Sequence, residues 1–137
     1  MLELAGLNYG AILVAWLINM VIGSLWYSPL GFGKQWSALS GVDIMKLPRN
    51  EANRTIRFVA LSALVQAFVL GLLLHSLHVT EILNGLVVGW VLWLGLVAAT
   101  TVGTTLYQRK SWKFIWLNAS YFLVVMMINS LILTVWR

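Results

Sequence analysis

The sequence predicts an all-α membrane protein: four antiparallel transmembrane helices in a bundle, with a short interfacial segment between helices one and two. Three observations predict it. Of the 137 residues, 61% are hydrophobic and only 9% charged, with a mean hydropathy of +0.88, whereas a soluble domain carries about 25% charged residues. Four stretches of about 20 residues, the length a helix needs to cross the hydrocarbon, have no Asp, Glu, Lys or Arg in their interiors. The basic residues cluster in two of the connections. A soluble globule is excluded, and residues 1–137 are expected to form one transmembrane domain.

Helix one runs from about Leu7 to Tyr27 and is stopped by Pro29, because the residue before a proline is pushed out of the helical region. The opening Met1, Leu2, Glu3 lacks the positive start of a secretory signal, so this helix is expected to be retained. Helix two runs from about Ile56 to Leu77. Pro48, Asn50 and Glu51 ahead of it read as a helix start in water, with Asn50 as N-cap and Glu51 favourable to the dipole. A tight turn around His78, Val79 and Thr80 leads to helix three, about Ile82 to Leu106, and helix four spans about Phe114 to Trp136.

Lys34, Lys46, Arg49 and Arg54 lie between helices one and two, with Arg57 at the edge of helix two, and Arg109, Lys110 and Lys113 between three and four. The opposite side has only Arg137 among the bases. By the positive-inside rule the basic face is cytoplasmic and both termini are outside. The net charge of +5 then serves orientation and contact with anionic lipid head groups, and no nucleic acid is required.

The end of helix one reads Gly23, Ser24, Leu25, Trp26, Tyr27, Ser28, Pro29, Leu30, Gly31, Phe32, Gly33, Lys34, Gln35, Trp36. This string, with Gly85, Gly89, Trp93, Leu94 and Gly95 in helix three and Tyr121 in helix four, resembles the signature of a bacterial family of small four-span membrane proteins, domain of unknown function 1761. The resemblance implies the four-span fold and a bacterial inner membrane, and no activity, cofactor or catalytic residue. Read physically, Trp26 and Tyr27 fall where amphipathic rings favour the interface. Gly31 and Gly33 permit unusual backbone angles in a tight turn. Phe32, Trp36 and Leu39 at i, i+4 and i+7 share one face of a short interfacial helix, with Lys34 reaching toward phosphate. The turn from Trp26 to Trp36 is then a structural anchor or, if it dips into a protein-lined cavity, a gate.

Inside the membrane, Ala11, Ala15, Asn19, Gly23 and Tyr27 form a stripe of small and polar residues at i+4 steps on helix one. Gly85 and Gly89 form a Gly-x-x-x-Gly step on helix three, and Thr100 and Gly103 project to the same side. Both read as helix seams, since small residues let backbones approach in lipid. Gln66, Asn118 and Asn129 add amides that seek partners between helices. Trp16 and Trp93 sit near the centres of helices one and three, an unusual depth for Trp. They either pack on each other or, with Asn19 and Thr100, frame a pocket for a flat hydrophobic ligand.

Several chemistries have no residues to carry them. There is no Cys, hence no disulfide, thiolate ligand or Cys nucleophile. Glu3, Asp43, Glu51 and Glu81 lie at or beyond helix ends, which disfavours a carboxylate-driven transporter. His75, His78 and Glu81 are spaced three apart, but a turn intervenes and a metal site is not expected. No Ser–His–acid set or phosphate-cradling loop is visible, and neither enzymatic activity nor a cofactor is expected. The leading expectation is a non-enzymatic structural or accessory membrane subunit that forms a homo-oligomer, dimer or trimer, because two seams exceed what one small bundle needs. The alternative is a small passive channel or transporter of a neutral or hydrophobic solute. The topology predicts that a reporter fluorescent only in the cytoplasm stays dark when fused after Arg137; strong fluorescence would reverse the orientation.

Overall fold

The computed structural model describes residues 1–137, apart from the Ile44 side chain, and is all-helical among the described residues. Its four spans, Tyr9–Trp26, Arg49–Ser76, Ile82–Tyr107 and Trp112–Val135, are each long and apolar enough to cross a membrane. A linker helix, Gly33–Ser40, and a single 3-10 turn, Ile44–Lys46, join the first span to the second.

Local chemistry sets the ends. The Asn8 side chain caps the first span by accepting the Ala11 N–H at 3.0 Å, and Ser111 caps the fourth by accepting that of Phe114 at 3.3 Å. The second span begins at Arg49, seven residues before the apolar run, with Pro48 at the N-cap position. Asn50 is therefore inside the first turn and does not cap it; the fixed φ of proline and its missing donor suit a helix entrance. Glu51 does sit in that first turn. His78 takes a left-handed backbone, φ 53°, to close the tight turn between the second and third spans.

The fourth span is the hub. It packs against the first, the second, the third and the linker helix, while the first also packs on the second. The hub works because small side chains thin the contacts. Ala11 and Ala15 on the first span, Ala67 on the second and Ala119 on the fourth are fully buried. Gly85 and Gly89 of the third span face Thr134 and Ser130 of the fourth, and a methyl group at either glycine would overlap the opposing hydroxyl. The Gly-x-x-x-Gly step is thus consumed inside the chain, against a Ser/Thr pair of the same i, i+4 spacing.

The third span is not one regular α-helix. Trp93–Ala98 form a π-helical turn between α-helical halves, and the Trp93 indole N–H donates to the Ala119 carbonyl of the fourth span at 2.8 Å. The face on the fourth span runs Gly85, Gly89, Trp93 in steps of four, then reaches Ala98 in a step of five. The extra residue re-phases the helix. Gly103, which a straight helix would put beside Gly85 and Gly89, is turned outward, with nothing within 4 Å of where its side chain would begin. Replacing Trp93 by Phe keeps the ring and deletes the hydrogen bond. It is expected to cost about 1 kcal/mol, read as a lower thermal midpoint in detergent.

Candidate functional site

At the end of the bundle that carries the two basic connections, the chain reverses through an elbow from Trp26 to Trp36. The Phe32 N–H donates to Trp26 O at 2.6 Å, and those of Gly31 and Gly33 both donate to Ser28 O at 3.0 Å. Neither glycine has a positive φ. Their role is space, not backbone angle: a Cβ on Gly31 would run into the Leu25 and Trp26 carbonyls, and one on Gly33 into those of Tyr27 and Ser28. Pro29 and Leu30 form the exposed tip, and Lys34 points out from the first turn of the linker helix.

Behind the elbow the aromatic rings close on the hub. Trp26 packs on Phe32 at 4.8 Å between centroids and on Tyr121 at 6.0 Å, and Tyr27 meets Tyr121 at 5.2 Å and Trp36 at 5.9 Å edge-on. The Tyr27 hydroxyl donates to Asn118 Oδ1 at 2.8 Å. Burial first, and the neighbouring Tyr121 second, push the Tyr27 phenol above its ordinary range, so it stays a donor. Gly23 of the predicted seam receives the Tyr121 hydroxyl, which a methyl group there would crowd at 2.9 Å. Lys110 ties the two basic connections together: its ammonium donates to Ser40 O at 3.0 Å, at the end of the linker helix, and lies 5.8 Å from the Phe114 ring centre.

The sequence pointed to Trp26, Tyr27, Phe32 and Trp36 together, and the structure brings them together. It missed Tyr121 and Asn118 as their partners, and Ser130 and Thr134 as partners of the glycines. The i, i+4 spacing of Ser130 and Thr134, matching Gly85 and Gly89, was the available signal.

Trp16 and Trp93 neither pack on each other nor frame a common pocket among the described residues, because each is tied to a different neighbour. The Trp16 indole donates to Ala60 O of the second span at 2.9 Å, Trp93 is bonded to the fourth, and Thr100 is exposed on the far side of the third. Asn19 is buried in the first span, and neither its amide nor that of buried Asn129 has a hydrogen-bond partner. Gln66 reaches only the Met126 sulfur, at 3.6 Å.

At the opposite end of the bundle His75, His78 and Glu81 do not converge. His75 Nε2 bonds Ala5 O at 2.9 Å, His78 lies 3.8 Å from Glu3, and Glu81 accepts from the Asn84 amide at 3.2 Å. His75, and Ser76 through its 2.7 Å bond from the Glu3 N–H, hold the N-terminal segment over the second span.

A family model described as protein of unknown function (DUF1761) matches residues 10–134. No curated protein and no solved structure matches the chain.

The elbow's geometry ranks its substitutions. Gly31→Ala and Gly33→Ala each force backbone overlap and are expected to lower the thermal midpoint well below that of Lys34→Gln, which changes only an exposed charge. Tryptophan fluorescence during melting reads the difference. Equal losses for Gly33→Ala and Lys34→Gln would mean that the elbow is not the rigid joint described.

Proposed function

Because the chain belongs to the family of unknown function DUF1761, we propose a role that rests on assembly rather than catalysis: a structural or accessory subunit of the bacterial inner membrane that forms a closed homo-oligomer. The charge asymmetry supports an orientation with both basic connections in the cytoplasm and both termini outside, and the Lys110 to Ser40 bond places those connections at one end.

The observation that carries this reading is the outward face of the third span. Gly95 and Gly103 have nothing within 4 Å, Ala99 lies between them at the same spacing, and an open groove of about 570 Å³ follows Ala99, Thr100, Gly103 and Thr104 to Tyr107. Inside the chain, glycines at i, i+4 take hydroxyls at i, i+4. The outward face carries both halves of that arrangement, Ala99 with Gly103 and Thr100 with Thr104, so it is complementary to a second copy of itself.

A second reading, passive passage of a neutral solute, is supported by the unpaired Asn19 and Asn129 amides buried within the first and fourth spans. Solute flux into liposomes holding this protein alone, abolished by Asn129→Leu, would favour it over assembly as the primary role.

For the leading reading, Gly103→Leu is expected to reduce the mass in native detergent or lipid discs to that of a monomer at nearly unchanged thermal midpoint. Gly89→Leu is expected to lower the midpoint instead, because it strikes Ser130. Unchanged mass for both Gly103→Leu and Gly95→Leu would remove this face as the interface.

A further inference from the structure

The second span leaves the bundle before it reaches the cytoplasmic end. Its buried residues, Ala67, Leu70, Gly71 and Leu74, all lie in the outer half. The same face continues through Ala63 and Ala60, which are half-buried, to Ile56, which is 54% exposed. The tie nearest that end is the Trp16 indole on Ala60 O.

That bond also fixes depth. Ala60 is level with Trp16, and Trp16 is about 15 Å along the first span from Trp26 at about 1.5 Å per residue. Arg57 and Arg54 lie about 5 and 9 Å from Ala60 toward the cytoplasm on the same scale. Their backbones therefore sit about 10 and 6 Å on the lipid side of the Trp26 and Tyr27 rings, which mark the interface. Tilt of the diverging helix only keeps them deeper.

Both arginines are exposed, and among the described residues neither meets a carboxylate. Glu51, one turn before Arg54, forms no ion pair with it. Phe58, Leu61, Val65 and Val69 follow Arg54 at i+4, i+7, i+11 and i+15, down one side of the helix. They are 60%, 55%, 54% and 44% exposed. An apolar stripe thus ends in two unpaired guanidinium groups at the depth where hydrocarbon gives way to head groups.

We propose that this face binds an anionic phospholipid of the cytoplasmic leaflet, with its phosphate on Arg54 and Arg57 and an acyl chain along Phe58, Leu61 and Val65. A guanidinium below the head-group plane is costly unless phosphate is drawn to it, and its planar fork suits phosphate oxygens. Two guanidinium groups on one phosphodiester leave an excess positive charge. A choline or ethanolamine head group adds to that excess, whereas the uncharged glycerol of phosphatidylglycerol leaves the phosphate's full negative charge to the arginines. The site is on the second span, so it does not depend on association through the third.

The full chain, purified in detergent with equimolar phosphatidylglycerol and phosphatidylcholine, provides the test, with retained lipids counted by native mass spectrometry. Phosphatidylglycerol is expected to be retained in preference and to raise the thermal midpoint more than phosphatidylcholine does. Each of Arg54→Gln and Arg57→Gln should reduce the preference roughly fivefold, Lys34→Gln and Lys113→Gln should leave it, and millimolar inorganic phosphate should not displace the lipid. Equal retention and equal stabilisation by the two lipids in the unmodified chain overturns the proposal, whatever the variants do. So does a preference that survives loss of both arginines, or displacement by inorganic phosphate. The oligomer mass in the same spectra reports separately on the third-span interface.

Discussion

The rest of this structure depends on how closely the third and fourth backbones approach. Between lipid-immersed helices there is no hydrophobic gain to collect, since acyl chains solvate leucine as well as another leucine does. What remains is contact, and contact at this interface is set by Gly85 against Thr134 and Gly89 against Ser130. The fourth span can then act as a hub because its other faces are narrow too, with Ala119 buried on it and Ala11, Ala15 and Ala67 buried on the neighbouring spans. The tertiary structure is three helices resting on one, with the first and second also packed on each other, rather than four around a shared cavity.

That arrangement explains the elbow. The first span and the linker helix both rest on the fourth, so the chain must reverse within a few residues while staying against it. Backbone donors of Gly31, Phe32 and Gly33 turn back on the carbonyls of Trp26 and Ser28, and only glycine leaves room for this. The aromatic rings fill the wedge under the turn, and the Tyr27 to Asn118 bond satisfies polar groups that lipid would leave unpaired. A joint packed this way favours an anchoring reading of the segment over a gating one.

The spans were legible because apolarity over about 20 residues admits few alternatives. The elbow was legible because Trp, Tyr, Pro and Gly each impose a local constraint. Helix phase was not. A projection at 3.6 residues per turn put Gly103 with Gly85 and Gly89, and the wide turn at Trp93–Ala98 broke that projection for a tertiary reason, the indole bond to Ala119. The pocket between Trp16 and Trp93 failed likewise: periodicity tells which face of a helix is unusual, and not which neighbour it meets. The polar start of the second span was legible from Pro48, Asn50 and Glu51, and only its cap was misassigned, to Asn50 where Pro48 holds that position.

A hub also determines where function can reside. Residues of the fourth span that face its neighbours are committed to holding them, and substitution there acts first on folding. The second and third spans each have a length that the hub does not use, the first where the helix diverges below Ala60 and the other where the wide turn rotates Gly95 and Gly103 outward. Unpaired guanidinium groups border one, and bare glycines with threonine hydroxyls border the other. Neither is what a surface left merely to dissolve in acyl chains requires, since plain aliphatic side chains do that at lower cost in charge burial and helix stability.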